Sequence, residues 1–388
     1  MKALIVAPYF HPYIAGGMKY ALDQSLCLKK AGFKVIATAA GHKSNKFKKE
    51  IIEGIKIYRL PAQFKLSGTP LSLEWRKKLN EIIEKEKPDV INGHIPAPFI
   101  ADLAARIAVE KRIPFILTYH NDITKEDFFG NLLSEGYYSM LGNKTLKISS
   151  KIIATSEYYA KKSVHLRKYV HKTEFIPPAV DEKKFNLRVN RNWLKRNYKL
   201  KNKKIVLFVG CLGKGYEYKG LNYLIEAISM TKKEIPEIKL IAVGGGEEKQ
   251  KYVALCRKLG IEKEVMFAGF VPSEKLPLYY AGSDAFVLPS INDSEGFGIV
   301  LIEAMACRTP VIGTKAGGIP AVIKDEKDGL IVEPRNPAEL KNAIIRILKN
   351  KKFAGKIALN GHKKVFSEFS QKKFCSKITK IFFGAVKK

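Results

Sequence analysis

Long apolar runs are missing from this chain of 388 residues. No stretch approaches the roughly 20 apolar residues that a bilayer-spanning helix requires. The amino terminus, MKALIVAPYFHPY, has one lysine and a short apolar run broken by proline, which is not the pattern of a signal peptide. We therefore expect neither a membrane span nor a secretion signal.

Cysteine is scarce and unpatterned. The five cysteines are odd in number, lie far apart and form no CxxC pair. Zinc sites and disulfide frameworks both need regular cysteine spacing. The pattern predicts neither a zinc site nor a disulfide framework, and it favours a reducing cytoplasm as the location.

Acidic residues are outnumbered, with 37 Asp and Glu against 69 Lys and Arg, which gives a net charge of +32. Such an excess suits an anionic partner: nucleic acid, an anionic membrane surface or an anionic small substrate. Lysine is spread along the whole chain, whereas nucleic-acid readers concentrate arginine and aromatic residues on one face. Dedicated nucleic-acid binding is therefore not expected, and a lysine-rich surface of thermophilic type remains an alternative.

Three common motifs for nucleotides and metals are also missing. The chain has no G-x-G-x-x-G fingerprint and no G-x-x-x-x-G-K-[ST] loop, which argues against a nicotinamide enzyme and a P-loop ATPase. It has no Asp-x-Asp metal motif at a strand end, and NDSEG (292–296) is the nearest string. We therefore expect no metal or cofactor.

What the chain does contain is a regular alternation of short Val/Ile-rich runs with helical patterns. Such runs are typical of parallel strands buried on both faces. The alternation restarts after the paired prolines of FIPPAVD (175–181), which predicts an α/β protein of two doubly wound domains, residues 1–177 and 178–365. The last helix, about 366–388, could return to the first domain. Ligands of such folds bind beyond the carboxyl ends of the strands, in the cleft between domains.

Gly16 and Gly17 open a helix directly after the first strand. Glycine lets the backbone approach a ligand, and a helix start presents free N–H groups to an anion. The alternative is that the two glycines only form a tight turn.

A second glycine-rich loop follows a strand in FVGCLGKGYEYKGLNYLIEAI (208–228). The strand ends at Gly210, and Lys214 and Lys219 follow on the loop. Lysines in such a loop can neutralise a diphosphate, although Lys214 could equally be a solvated loop residue.

The stretch SEGFGIVLIEAMACRTPVIGT (294–314) places Glu295 before an apolar helix and Glu303 within it. Glu303 should be at least partly buried, and a buried carboxylate needs hydrogen-bond donors such as sugar hydroxyls. The N–H groups of Gly298, Ile299 and Val300 at the helix start would face phosphate.

Residues 294–320 closely resemble the E-x7-E signature of family 4 retaining glycosyltransferases. The loop at 208–228, the GG pair at 16–17 and FIPPAVD occur in the order expected for that family, so the resemblance covers nearly the whole chain. It implies a GT-B fold, with two Rossmann-like domains facing each other across a cleft. The second domain would hold the nucleotide-sugar donor and the first would hold the acceptor.

The resemblance also implies roles for single residues. Glu303 would bind the ribose hydroxyls, and Glu295, with the amides of Phe297 and Gly298, would hold the donor sugar. Lys219 would bind the diphosphate.

His120 would approach the sugar and the reaction centre, although a strand-end histidine can also have a purely structural bond. The nucleobase would lie near Gly244–Gly246 and the GFV of 269–271, which ends at Val271.

One departure from the family pattern concerns charge. The family often has arginine directly after the strand-end glycine, and this chain has Cys211 in a loop that is longer than usual. We hypothesise that Lys214 replaces the missing charge.

The resemblance implies retention of anomeric configuration. We expect no metal ion, because lysines, amides and the helix dipole would meet the diphosphate charge. A double displacement needs a carboxylate nucleophile, for which Glu295 is the nearest candidate. We favour front-side attack, in which the leaving phosphate accepts the proton and His120 assists.

The acceptor side is less specific. Residues 64–80 mix Leu66, Leu71, Leu73 and Trp75 with a basic tail. They form either an ordinary packed helix with its leading loop or a surface for anionic lipid and a lipid-linked acceptor. The aromatic segment 123–147 could line the acceptor site.

The sequence therefore predicts a glycosyltransferase that uses a UDP- or GDP-sugar in the synthesis of cell-surface polysaccharide, glycolipid or glycoprotein glycan. It would be cytoplasmic, or peripheral on the inner face of the cell membrane. The alternatives are another GT-B activity, such as a sugar-nucleotide epimerase, and a non-catalytic binding protein that uses the basic surface.

Overall fold

The computed structural model describes residues 1–11, 16–41, 46–66, 69–96, 98–123 and 128–387, with the backbone alone at 65, 66, 69, 128 and 129. These residues form two compact units. The first unit is Met1–Ala179 with Lys372–Lys388, and the second unit is Val180–Gln371. The sequence placed the boundary after residue 177, and the chain changes unit after Ala179.

The first unit contains an eight-stranded sheet in the order β10-β9-β8-β7-β1-β2-β4-β3 and a separate hairpin, β5-β6. All neighbours in the large sheet are parallel except β3, which pairs antiparallel with β4. The strands are β1 (Lys2–Val6), β2 (Lys34–Ala40), β3 (Lys48–Ile52), β4 (Ile55–Leu60), β5 (Phe64–Leu66), β6 (Thr69–Leu71), β7 (Val90–Ile95), β8 (Phe115–Tyr119), β9 (Lys151–Ala154) and β10 (Thr173–Phe175).

Helices cover both faces of this sheet. They are α1 (Gly16–Lys30), α2 (Trp75–Glu86), α3 (Ile100–Glu110), α4 (Phe128–Tyr137), α5 (Asn143–Ile148) and α6 (Glu157–Lys162), with a π-helical segment at Tyr138–Gly142 and a 3₁₀ segment at Leu166–Lys172.

The second unit has a six-stranded, fully parallel sheet in the order β13-β12-β11-β14-β15-β16. Its strands are β11 (Lys204–Val209), β12 (Ile238–Val243), β13 (Val265–Gly269), β14 (Ala285–Leu288), β15 (Val311–Thr314) and β16 (Leu330–Val332). Its helices are α7 (Trp193–Asn197), α8 (Leu221–Lys232), α9 (Lys249–Lys258), α10 (Leu276–Gly282), α11 (Ile299–Ala306), α12 (Ile319–Val322), α13 (Pro337–Lys349) and α14 (Lys351–Glu368), with a 3₁₀ turn at Glu217–Lys219.

The last helix, α15 (Gln371–Val386), belongs to the first unit from Lys372 onward. It buries Phe374, Ile378 and Phe382, which are spaced four residues apart and therefore share one helix face. That face packs on the same side of the eight-stranded sheet as α1. The final segment thus completes one layer of the first unit's core.

The predicted α/β class is confirmed, because both large sheets are built from buried, mainly parallel strands with helices on both faces. The Val/Ile runs mark the central strands well. They do not mark β3, whose sequence KKEII lies at the sheet edge with both lysines exposed. An edge strand needs no apolar pattern and often carries lysine, so periodicity could not find it.

The cysteine pattern predicted no disulfide framework, and it did not indicate the single disulfide that the structure contains. Cys27 on α1 and Cys375 on α15 form a disulfide, with their Cα atoms 5.0 Å apart. They are separated by 348 residues in the sequence, so spacing could not reveal the pair. Only the return of α15 to the first unit brings the two residues together. Cys211, Cys256 and Cys307 are free thiols.

Replacing Cys27 by serine is expected to destabilise the oxidised first unit by about 2–4 kcal/mol, because the disulfide closes a very long loop and restricts the unfolded chain. Urea unfolding with and without a thiol reductant measures this. The reductant should lower the wild-type midpoint to that of the variant, and Cys211→Ser is the matched control that keeps the disulfide. Equal midpoints for wild type and Cys27→Ser without reductant would contradict the assignment.

Across the described residues, none of the helices is both long enough and apolar enough to cross a bilayer.

Candidate functional site

The strand ends of the second unit gather polar residues and glycines at one edge of its sheet. Gly210 follows β11, Gly244 follows β12, and Ser290 comes shortly after β14. Parallel strands present their carboxyl ends at the same edge, which is where ligands of doubly wound folds bind. The residues predicted to bind the donor in this unit are therefore placed around one end of the six-stranded sheet.

Lys219 and Glu295 meet directly at this edge. The Nζ atom of Lys219 lies 2.8 Å from Oε2 of Glu295, and the hydroxyl of Ser290 donates to the same oxygen at 3.1 Å. Both charged side chains are largely buried, with exposed fractions of 15% and 9%. Although burial acts to lower it, the charge of Glu295 raises the pKa of Lys219 above its ordinary value. The lysine is therefore a fixed positive charge at any physiological pH.

Two glycines allow Lys219 to reach this position. Gly220 has a positive φ of 69° and begins α8, and a Cβ there would lie 2.0 Å from the carbonyl oxygen of Pro289. A Cβ on Gly210 would lie 2.8 Å from Cδ of Lys219. A side chain at Gly210 would displace the lysine, and one at Gly220 would clash with the backbone of Pro289, so both glycines are required by geometry.

Backbone donors are unused at the start of α11. Gly298 caps the helix with φ of 86°, and within the described residues no hydrogen bond uses the N–H groups of Gly298, Ile299 or Val300. Three free N–H groups and the positive end of the helix dipole are suited to an anion. The side chain of Phe297, by contrast, is buried against Phe369, so its backbone alone is available.

Glu303 lies on α11 and is buried, with an exposed fraction of 6%, as the apolar run predicted. The hydroxyl of Tyr280 donates to its Oε2 atom at 3.0 Å. Tyr280 is fully buried, and burial followed by the charge of Glu303 raises the pKa of its phenol. The tyrosine remains a donor that fixes the orientation of the carboxylate.

A second glycine pair, Gly317 and Gly318, supports the loop that carries Glu295. Cβ atoms at these positions would lie 2.0 Å and 2.2 Å from the carbonyl oxygens of Glu295 and Gly296. The N–H of Gly318 donates to the Glu295 carbonyl at 2.8 Å. Sequence reasoning gave neither glycine nor Tyr280 a role, although KAGG after β15 is the same strand-end signal that identified Gly210.

Three other residues of the second unit were predicted to bind the donor. Gly244, with φ of 137°, backs onto Gly210, and Val271 is buried in the core of the unit. The side chain of Lys214 is exposed, and its backbone N–H donates to Glu247 at 3.1 Å. The hypothesis that Lys214 supplies charge stays a prediction.

In the first unit, His120 follows β8 and lies beside His94 at the end of β7, with Nδ1 of His94 3.1 Å from Nε2 of His120. Tyr20 of α1 contacts both rings edge-on. A Cβ on Gly17 would lie 3.3 Å from the His120 ring, whereas Gly16 is exposed. The structure thus brings Gly17 and His120 together.

The two segments expected to bind the acceptor are only partly exposed to solvent. Trp75 is buried and α2 is a packed helix, but Leu73 ahead of it is 87% exposed. Tyr137 and Tyr138 are buried core residues. The side chains of Phe128 and Phe129 lie outside the described residues.

No three His, Cys, Asp or Glu side chains form a cluster suited to a metal ion within the part of the chain that the structure describes.

Comparison with known proteins matches both units. The family model "Glycosyl transferases group 1" matches residues 189–364, and the model "Glycosyltransferase Family 4" matches residues 14–184. An uncharacterized glycosyltransferase of Methanocaldococcus jannaschii, MJ1607, is 28% identical over 387 residues, 95% of each chain. A GDP-mannose-dependent alpha-(1-6)-phosphatidylinositol monomannoside mannosyltransferase of Mycolicibacterium smegmatis is 30% identical over 194 residues, 48% of this chain and 50% of the relative.

The fold is also found in solved structures. Anabaena HepE in complex with UDP-glucose aligns with a TM-score of 0.79 and 19% identity, over 99% of this chain and 100% of that chain. Two Rossmann-like units of this kind define an enzyme with the GT-B fold. The chain belongs to the glycosyltransferases of the group 1 and family 4 type, which transfer a sugar from a nucleotide sugar, so the predicted family and enzyme class are confirmed.

Replacing Tyr280 by phenylalanine is expected to weaken nucleoside diphosphate binding about 10-fold, because a hydrogen bond to a charged group contributes roughly 1.5–3 kcal/mol and orients Glu303. Isothermal titration calorimetry measures the affinity. Tyr279→Phe is the matched control, since its hydroxyl bonds to Tyr198 instead. Equal losses in the two variants would show that orientation of Glu303 is not the cause.

Proposed function

We propose that this glycosyltransferase transfers a sugar from a nucleoside-diphosphate sugar to a lipid-linked or glycan acceptor, with retention, without a metal ion and by front-side attack. The observation that carries the proposal is the cluster of Lys219, Glu295 and the free N–H groups at the start of α11. It combines a fixed cation, a buried carboxylate and a helix N-terminus at the edge of the sheet where the parallel strands end.

Positive groups of the chain meet the charge of the departing diphosphate in this proposal. Lys219 keeps its proton because Glu295 is bonded to it, and the amides of Gly298, Ile299 and Val300 are preorganised donors. Preorganised donors of this kind stabilise charge that develops in a transition state. They supply the stabilisation that a divalent cation gives in metal-dependent transferases.

Glu295 acts on sugar hydroxyls rather than as a nucleophile. Its Oε2 atom already accepts from Lys219 and Ser290, which lowers its nucleophilicity and leaves Oε1 to accept from the donor sugar. In front-side attack the acceptor oxygen bonds to the anomeric carbon as the bond to phosphate breaks. The acceptor proton passes to the departing phosphate, and His120 stabilises the sugar.

The donor is a UDP- or GDP-sugar. Both are represented in the comparisons, since the Mycolicibacterium relative is named for GDP-mannose and Anabaena HepE is solved with UDP-glucose. Glu303 binds the ribose, which the two donors share.

The acceptor we favour is anionic and lipid-linked. An apolar groove of about 330 Å³ in the first unit is lined by Phe64, Leu71, Leu73, Phe99, Leu103 and Leu141. Arg106 and the buried Asp102 also line it, and the whole chain carries +32. An apolar groove on a basic protein suits the acyl chain of an anionic lipid. The name of the Mycolicibacterium relative includes phosphatidylinositol monomannoside, which is a glycolipid. We therefore propose that the enzyme acts at an anionic membrane surface, in cell-surface glycan synthesis.

Transfer assays test the proposal. UDP-glucose, UDP-N-acetylglucosamine and GDP-mannose are each incubated with phosphatidylinositol vesicles or oligosaccharides, with and without EDTA, and the product anomer is read by proton NMR. The expected result is an α-linked product from an α-linked donor, formed equally with EDTA. Donor epimerisation without an acceptor would favour a sugar-nucleotide epimerase. Salt-dependent RNA binding without turnover would favour the non-catalytic alternative.

A further inference from the structure

His94 and His120 are hydrogen-bonded to each other at the carboxyl ends of the strands in the first unit's sheet. Their strands, β7 and β8, are parallel neighbours, and the backbone N–H of His120 donates to the carbonyl of Ile95 at 3.2 Å. Nδ1 of His94 lies 3.1 Å from Nε2 of His120, and the rings are tilted by 30°. His94 is buried, with an exposed fraction of 2%, whereas His120 is partly exposed. Among the described residues, the inner histidine is thus shielded from solvent and contacts the partly exposed outer one.

The other side of His94 has no polar partner. Its Nε2 atom is buried and bonds to none of the residues that the structure describes. Tyr20, the polar side chain against both rings, donates its hydroxyl to the carbonyl of Ile176 at 3.0 Å. Asn92, on the same strand face, uses its amide on Ile116 and Thr118. The His94–His120 contact is thus the hydrogen bond that determines which nitrogen of each ring carries a proton.

Both imidazoles are neutral at physiological pH. Burial, and then the charge of His120, holds the pKa of His94 well below its ordinary value. Burial lowers the pKa of His120 to about 4. Two neutral rings can share one hydrogen bond in only two ways, since a neutral imidazole has one donor and one acceptor nitrogen.

The two arrangements differ in what is left buried. If His120 donated from Nε2, His94 would carry its proton on Nε2, and that N–H would be buried without an acceptor. If His94 donates from Nδ1, its Nε2 is a bare lone pair instead. Buried N–H groups without partners are rarer than under-satisfied acceptors. The second arrangement is favoured.

We propose that His94 is a positioning residue that holds His120 as the Nδ1–H tautomer, so that His120 presents a hydrogen-bond donor to an oxygen of the sugar or the acceptor. The inference rests on the proposed function for the meaning of that donor. No hydrogen bond to another described residue uses Nδ1 of His120. His120 then stabilises an oxygen and does not remove a proton, which leaves the departing phosphate as the proton acceptor.

Nitrogen-15 NMR of the full-length protein, labelled at histidine, reads the tautomer directly without any substrate. The His120 signals are assigned by their loss in His120→Ala. At pH 7 we expect a protonated Nδ1 and an unprotonated Nε2 at His120. A protonated Nε2 at His120 in the wild type would overturn the inference.

Variants of His94 sharpen the test. His94→Asn can still donate from an amide near the Nδ1 position, so the Nδ1–H tautomer should persist. His94→Asp can only accept when ionised, so His120 should change to the Nε2–H form and its pKa should rise above about 4. His362→Asn, in the second unit, is the matched control and should leave the His120 signals unchanged. An unchanged His120 tautomer in His94→Asp would overturn the inference, and if that variant does not fold, the wild-type spectrum and His94→Asn decide.

Turnover separates this inference from the proposed function. With the donor that the enzyme uses, His94→Asp should lower kcat at least 10-fold with a smaller change in the donor KM, and His94→Asn should restore most of it. Full turnover by His120→Ala, together with the expected tautomer in the wild type, would count against the proposed role of His120 in transfer. It would leave the assignment of the tautomer standing.

Discussion

Replacing Lys219 by alanine is expected to lower sugar transfer by about 100- to 1000-fold, the usual effect of removing one preorganised donor from a transition state. The ammonium group of Lys219 bonds to Glu295 where the strands of the second unit end, and it stays protonated at physiological pH. Initial rates at saturating donor measure the effect. A variant that transferred sugar within a few-fold of the wild type would show that the diphosphate is stabilised elsewhere.

The same substitution also affects stability, and the two effects can be separated. Lys219→Ala leaves Glu295 buried without its counter-ion, which typically costs about 3–5 kcal/mol. The double variant Lys219→Ala/Glu295→Gln removes both charges, so it should regain most of the stability and none of the transfer. Lys214→Ala is the matched loop control: its exposed side chain predicts normal stability, and near-normal turnover would dismiss the hypothesis that Lys214 supplies charge.

Replacing Gly244 by alanine is expected to destabilise the second unit by about 3–5 kcal/mol and to abolish nucleotide binding. Gly244 has φ of 137°, and a Cβ there would lie 1.7 Å from the carbonyl oxygen of Gly210. The clash is with backbone, so it can be relieved only by separating the loops after β11 and β12. Those loops carry the predicted phosphate and nucleobase contacts.

Gly245→Ala is the matched control for this effect. Gly245 is the next residue, lies outside the positive-φ region and has open space where a Cβ would be. Its substitution should change stability by less than about 0.5 kcal/mol. Urea unfolding of both variants measures the difference. Equal stability of the two would contradict the backbone contact between Gly244 and Gly210.

The fold could be predicted from sequence where local pattern and burial coincide. The central strands are buried on both faces, so their Val/Ile runs are visible without any knowledge of their neighbours. The edge strand β3 could not be predicted, because it needs only one partner and carries lysines on its exposed positions. The disulfide between Cys27 and Cys375 depends on the last helix returning to α1, which is a property of the tertiary structure alone.

The site shows the same limit. Glu303 was predictable as a buried carboxylate because it interrupts an apolar helix. Tyr280, its donor, lies in an aromatic pair on another helix, where nothing distinguishes it from the ordinary core residue Tyr279. Lys219 and Glu295 are 76 positions apart in the sequence. Their contact is indicated only by the fact that both residues follow strands whose carboxyl ends lie at the same edge of the sheet.

The most direct measurement is thermal unfolding of the protein against UDP, GDP, ADP and CMP, with Glu303→Ala and the exposed Glu333→Ala as the paired variants. A ligand at a hundredfold excess over its dissociation constant should stabilise the protein by roughly 2.7 kcal/mol. The account predicts that UDP or GDP raises the midpoint, that Glu303→Ala removes the rise and that Glu333→Ala keeps it. No rise with any nucleotide, or an undiminished rise in Glu303→Ala, would contradict the donor site described in the second unit.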